Sequence, residues 1–206
     1  MRLAVFASGR GSNLQALIEA TRAGRLDALV ALVVVNRPEV GAIAIAEAAG
    51  VPVVVLDDRL YSDRVVHERA IATHLAAHTI DLVVLAGYMR ILTPFLVGFL
   101  YDPTLGQSRI VNIHPADPAQ YRGTDGYGWA ITSSLTQTAI TVHFVNEELD
   151  SGTIITQSTL PILPTDTLDT LRARGLALEH TLYPEALQSL LPRLKGGRLC
   201  VASSGS

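Results

Sequence analysis

Cysteine and lysine are nearly missing from this chain of 206 residues: there is one of each, Cys200 and Lys195. A lone cysteine closes no internal disulfide and builds no thiolate metal cluster, which fits a reducing compartment. Lys and Arg together number 16 against 19 Asp and Glu, for a net charge of -3. That balance supplies no basic stripe able to neutralise a row of phosphates, so nucleic acid is not expected as a partner. Long apolar runs are absent as well. The first, Leu3 to Ala7, is cut off by Ser8-Gly9-Arg10-Gly11, too short for the core of a signal peptide, and no later run approaches a membrane span. A cytoplasmic protein with no membrane partner is the expectation. Charged residues make up only 17% and apolar residues 49%, with a mean hydropathy of +0.32, which describes a well-filled core.

What is present is a regular alternation. Leu3 to Ala7 reads as a buried strand, since a short apolar run bounded by glycines suits a sheet interior. Leu14, Leu17, Ile18 and Thr21 then fall at helical spacing, ended by Gly24. Further strands are expected at Leu29 to Val35, Val53 to Leu56 and Leu82 to Ala86, with helices between them from about Val40 to Ala49 and Ser62 to His78. Strands alternating with helices make parallel βαβ units, so the fold class is α/β, a doubly wound, mostly parallel sheet. Later come a short helix from Tyr127 to Ser134, carrying the only tryptophan, Trp129, and strands at Ala139 to Val145 and Thr153 to Leu160. These two read as an antiparallel hairpin. A final helix covers about 167 to 191, interrupted or kinked near Tyr183-Pro184. With no internal repeat or linker, residues 1–200 read as a single domain and 201–206 as a frayed tail.

Three places concentrate polar residues. Ser8-Gly9-Arg10-Gly11-Ser12-Asn13 joins the first strand to the first helix, and unpaired N–H groups at a helix start suit an anion. Leu14 stands where a dinucleotide fingerprint has its third glycine, and the second strand ends in Asn36-Arg37 without an acid for a ribose. A single phosphate therefore fits better. The second place is Asn112-Ile113-His114-Pro115. In a strand from 109 to 114 the period of two points Asn112 and His114 to one side, and Pro115 ends the strand at the carboxyl edge, where open α/β sheets hold their ligands. The third is Asp150, before Ser151-Gly152, either a turn former or a carboxylate aimed at a site. Past the fourth strand, Met89, Ile91 and Leu92 either pack inward, as the pattern alone favours, or line an apolar pocket. His143, inside a strand, reads as structural or as a supporting group. No pair of His or Cys residues has metal-ligand spacing, so no metal is expected.

Together Ser8-Gly-x-Gly-Ser-Asn-Leu-Gln15, Ala86-Gly-Tyr-Met-Arg-Ile-Leu92, Asn112-Ile-His-Pro115, Val142-His-Phe-Val145, Glu148-Leu-Asp150 and Glu179-His180 resemble the glycinamide ribonucleotide formyltransferases of purine synthesis, from residue 1 to about 199. The resemblance implies a Rossmann-like formyltransferase domain. It also implies transfer of a formyl group from 10-formyltetrahydrofolate to the primary amine of a ribonucleotide, with small-molecule substrates as partners. By matching position, Asn112, His114 and Asp150 would be catalytic. Gly11, Ser12 and Asn13 would cradle the substrate phosphate and Glu179 would contact the ribose. Arg64, Met89, Arg90, Ile91, Leu92, Val97 and Val145 would hold the folate.

The chemistry asks for the same trio. An amine attacking a formyl carbon creates a tetrahedral oxyanion, which needs donors aimed at it. Asn112 and a protonated His114 supply them, and Asp150 is the carboxylate that favours the imidazolium and relays the amine proton towards the departing folate nitrogen. One stretch departs from the family. Where its members read Leu-His-x-His after a glycine, this chain has Gly123-Thr124-Asp125-Gly126-Tyr127, without either histidine. The loop bears on the acceptor, so three alternatives stay beside glycinamide ribonucleotide: another amino acceptor such as an amino nucleotide sugar, water in a formyltetrahydrofolate hydrolase, or a folate or nucleotide binding module without turnover.

Overall fold

A computed structural model describes residues 1–194. The expected tail at 201–206, with Lys195 and Cys200, lies outside the described residues. In chain order the elements are β1 (Arg2–Ala7), α1 (Ser12–Arg22), β2 (Leu29–Val35), α2 (Gly41–Ala48), β3 (Val53–Val55), a 3₁₀ turn (Asp58–Leu60), α3 (Arg64–Ala77), β4 (Leu82–Leu85), α4 (Pro94–Phe99), β5 (Tyr101–Asp102), β6 (Gln107–Ser108), β7 (Ile110–His114), α5 (Gly126–Thr132), β8 (Gln137–Phe144), β9 (Ile154–Pro161) and α6 (Leu168–Leu194). Seven strands form one sheet in the order β3-β2-β1-β4-β7-β8-β9. The first five run parallel, and β8 and β9 pair antiparallel, as the alternation and the late hairpin predict.

The apolar strands are buried on both faces because the sheet is covered on both sides. Leu3, Val5 and Ala7 of β1 enter one core with Leu14, Leu17 and Leu187 of α1 and α6. Ala4 and Phe6 enter the other with Ile71, Leu75 and Leu96 of α3 and α4. On β7, Val111 and Ile113 join the first core and Ile110 the second, so Asn112 and His114 continue the α3/α4 side at the strand's carboxyl end. Strand order reverses between β1 and β4, where doubly wound sheets open a crevice. Ser8 stitches that point together: its N–H donates to Gly87 O at 3.1 Å, and its hydroxyl donates to Asn36 Oδ1 at 2.6 Å and accepts from Met89 N at 2.8 Å.

Three elements depart from the sequence reading. Helix α4 was not expected, although Thr93-Pro94 is a start signal, with Pro pre-set for the first helical position. Buried Glu68 accepts from Thr93 N at 2.8 Å and takes up its hydroxyl. The β5–β6 hairpin has two residues per strand and no periodicity to read; Asp102 within it accepts from buried Arg109 at 2.7 Å. Finally, α6 runs on through Pro184 and Pro192 as one helix, so of the expected break or kink near Tyr183-Pro184 the break does not occur. The bond lost at proline is outweighed by packing, since Tyr183 and Pro184 are buried and the Tyr183 hydroxyl reaches Leu85 O at 2.9 Å and Val111 O at 3.0 Å. Among the described residues no helix is long and apolar enough to cross a membrane.

Candidate active site

At the carboxyl end of β7, the loop after β8 brings Asp150 to the two polar residues of the strand. Asp150 Oδ2 lies 3.6 Å from His114 Nδ1, and Asp150 Oδ1 lies 3.5 Å from Asn112 Nδ2. His114 and Asp150 are buried, and Asn112 is half-buried. Asp150 has φ 48, the left-handed region that Asp tolerates better than most residues. It is thus both turn residue and site carboxylate. The chain's backbone completes the arrangement: Tyr121 O lies 3.0 Å from His114 Nε2, and Gly123 N donates to Asp150 Oδ2 at 3.1 Å. A carbonyl only accepts, so Nε2 carries a proton and Nδ1 is the nitrogen facing the carboxylate. The His114 ring also stacks on Tyr121, which stacks in turn on Trp129.

His143 belongs to this group more closely than its sequence reading suggests. It sits opposite Asn112 in the β7–β8 register, with Nε2 3.4 Å from Asn112 Nδ2 and 3.7 Å from Asp150 Oδ1. Burial pushes its pKa down; the Phe144 carbonyl at Nδ1 and the Asp150 charge oppose this, and His114 adds to it. The neutral ring then donates through Nδ1 and offers Nε2 to the Asn112 amide. Its sequence signal was parity. Ile140, Val142 and Phe144 face the first core, so His143 must face the other side, but only strand pairing brings it to Asn112.

The glycine turn stands on the same sheet edge. Gly11 precedes α1 with φ 83, and a Cβ there would meet Ala42 Cα at 2.8 Å, so both conformation and space call for glycine. Ser12 opens the helix. Asn13 is buried, and its Nδ2 donates to Glu179 Oε2 at 2.6 Å. Tyr127, which the sequence reading did not single out, donates its hydroxyl to Glu179 Oε1 at 2.5 Å. No local pattern announces that contact.

Over the Asn112–His114–Asp150 group an open cleft runs out to solvent. Asn112, His114 and Asp150 line it together with Met89, Arg90, Ile91, Leu92 and Val145. Met89 and Ile91 are 62% and 51% exposed, so they face the cleft rather than the core, whereas Leu92 is 7% exposed and serves both. Arg90 pairs with Asp58, which also takes Arg37. Two expected folate residues do not line the cleft: Arg64 is exposed at the start of α3, and Val97 lies in the core with Leu92. Among the described residues no group of three His, Cys, Asp or Glu side chains is arranged to hold a metal ion.

Comparison with known proteins agrees with this architecture. The family model described as formyl transferase matches residues 1–187. The phosphoribosylglycinamide formyltransferase of Bacillus subtilis (strain 168) is 37% identical over 190 residues, covering 92% of this chain and 94% of that protein. The human trifunctional purine biosynthetic protein adenosine-3 is 40% identical over 188 residues, which is 91% of this chain but 18% of that protein; the chain thus spans about a fifth of such trifunctional relatives. Among solved structures, the phosphoribosylglycinamide formyltransferase from Bacillus halodurans superposes with a TM-score of 0.88 at 38% identity, covering 93% of this chain and 95% of that one. With a family model over nearly its whole described length and relatives of this similarity, the chain belongs to the formyl transferase family.

Proposed function

We propose that the protein transfers the formyl group of 10-formyltetrahydrofolate to the primary amine of glycinamide ribonucleotide. The observation that carries this reading is the meeting of Asn112, His114 and Asp150 at an apolar-walled cleft, in a chain whose Bacillus subtilis relative of nearly equal extent is named for that acceptor. In the transfer a bond forms between the amine nitrogen and the formyl carbon, and the bond from that carbon to the folate nitrogen breaks. The Asn112 amide and the His114 imidazolium are the donors for the oxyanion formed on the way. Asp150, facing His114 Nδ1, takes the proton leaving the amine, which ends on the departing folate nitrogen. Contacts of 3.5 and 3.6 Å are long for such work, and catalytic contacts commonly tighten only in the substrate complex.

The two substrates take separate groups of residues. Met89, Arg90, Ile91, Leu92 and Val145 hold the folate in the cleft, with Val97 supporting from the core it shares with Leu92 and Arg64 from the exposed start of α3. Backbone N–H groups of Gly11, Ser12 and Asn13 receive the phosphate, and Glu179 accepts from the ribose. Small-molecule partners and a cytoplasmic location complete the reading. Incubation with 10-formyltetrahydrofolate, alone and then with glycinamide ribonucleotide, an amino nucleotide sugar or methionyl-tRNA, is the test. Turnover that depends on glycinamide ribonucleotide is expected. Release of formate at a rate no acceptor improves would assign a hydrolase, and folate binding without turnover a binding module.

A further inference from the structure

Glu179 is only 5% exposed, yet each of its carboxylate oxygens has its own donor, Asn13 Nδ2 on Oε2 and the Tyr127 hydroxyl on Oε1. The donors come from two distant parts of the chain, the start of α1 and the first turn of α5, and Glu179 itself lies in the middle of α6. Two rigid donors hold a carboxylate's plane, so the direction in which its remaining lone pairs point is set before any ligand arrives. Tyr127 is suited to that task. Burial first, then the charge and hydrogen bond of Glu179, push its phenol well above the ordinary tyrosine range, so it remains a donor at any working pH.

Space for this tyrosine is made by another residue. Gly175 lies four residues before Glu179 on α6, on the same face of the helix. A Cβ at Gly175 would lie 2.3 Å from both Tyr127 Cε1 and its hydroxyl, closer than real atoms approach. Glycine weakens a helix interior, so its presence in α6 calls for a reason of this kind. Glycine and tyrosine are thus complementary in shape across the α5–α6 contact.

We propose that Tyr127, admitted by Gly175, is a positioning residue for the acceptor, holding Glu179 together with Asn13 in the orientation from which the carboxylate accepts a sugar hydroxyl. This rests on the reading that Glu179 receives the acceptor's sugar. It also moves the Asn13 side chain from the phosphate to the carboxylate, leaving the phosphate to backbone N–H groups and the Ser12 hydroxyl.

The experiment is steady-state kinetics with glycinamide ribonucleotide and 10-formyltetrahydrofolate on the wild type, Tyr127→Phe, Gly175→Ala and the double variant. Each single substitution is expected to raise KM for the acceptor about tenfold, the scale of one hydrogen bond to a charged group. The wild-type kcat should hold within about twofold and the folate KM should not move. The double variant should be no worse than the worse single, because Gly175→Ala already displaces the hydroxyl that Tyr127→Phe deletes. An unchanged acceptor KM in Tyr127→Phe overturns the proposal, as does a loss of kcat and folate affinity in parallel, which would mark a merely structural tyrosine. Should Tyr127→Phe not fold, Gly175→Ala decides by the same split between KM and kcat. If the wild type instead uses another sugar-bearing amine, the acceptor assignment falls, and the KM split measured with that amine judges the positioning role separately; no turnover with any acceptor overturns both.

Discussion

Around Glu179 the contacts measure 2.5 and 2.6 Å and come from helices packed into one core, whereas Asp150, carried on a loop, meets the side chains of strands β7 and β8 at 3.5 to 3.7 Å. The first region is finished; the second is assembled but slack. Binding a sugar phosphate rewards groups already in place, because each ordered beforehand spares entropy at association. A group that must serve an oxyanion existing only in passing is differently placed. Its donors gain by being stronger in the transition state than in the ground state, and exposed walls such as Met89 and Ile91 leave the water around them to be expelled by the substrate. The comparison teaches that the group offered to the sugar is held by short contacts in advance, while the reacting group waits for its ligand to draw it together.

If that division holds, the largest effects appear at the trio and in turnover alone. His114→Ala and Asp150→Asn are each expected to lower kcat roughly 100-fold or more, the scale of general acid/base groups, with folate affinity little changed. The double variant should cost little beyond the worse single, since groups acting as a unit are not additive. Measured kcat and folate binding check this, and additive losses would show two independent groups instead of one relay.

A smaller effect is expected on the rigid side. In Gly11→Val the new side chain meets Ala42 and a backbone at φ 83, so the start of α1 must shift. KM for the acceptor should rise by about tenfold or more, as expected when the N–H groups of a helix start no longer point at an anion. The folate constant should stay near its wild-type value. Equal movement of both constants would erase the division between the two groups.

The smallest effect concerns pH and stability. Burial depresses the His143 pKa below its unfolded value of about 6.5, so the folded state resists the proton that the unfolded state accepts. Its contribution is therefore complete above about pH 6.5 and is lost as pH falls from there towards the depressed value. His67, depressed mainly by burial while the Leu56 carbonyl at its Nε2 opposes the shift, acts in the same direction. Melting temperatures at pH 7.5 and 5.5 should differ less in His143→Gln than in the wild type. An identical acid loss in the variant would show that His143 is not the group that titrates.

The strands of the sheet were legible because an apolar run between glycines has few other solutions, and Leu29–Val35 coincides with its expected span. The polar pair Asn112 and His114 was legible because parity along a strand is a local property, and the Gly11 turn because strand, glycine and helix start are contiguous. Elements with weak or no periodicity were not. The four-residue β5–β6 hairpin is held by a buried Arg109–Asp102 pair, and the persistence of α6 through Pro184 is decided by what Tyr183 meets on the sheet.

By itself, then, the sequence determined the order and type of the main elements, the sheet edge at which the polar residues gather and, through its joined motifs, the family. Only the tertiary structure decided which polar groups share hydrogen bonds. Asn13 and Glu179 are 166 positions apart and Tyr127 and Glu179 are 52, distances over which no periodicity carries information. Such contacts follow from how helices α1, α5 and α6 seat on the sheet, and that seating is set by the volumes of many buried side chains at once, a glycine at 175 among them.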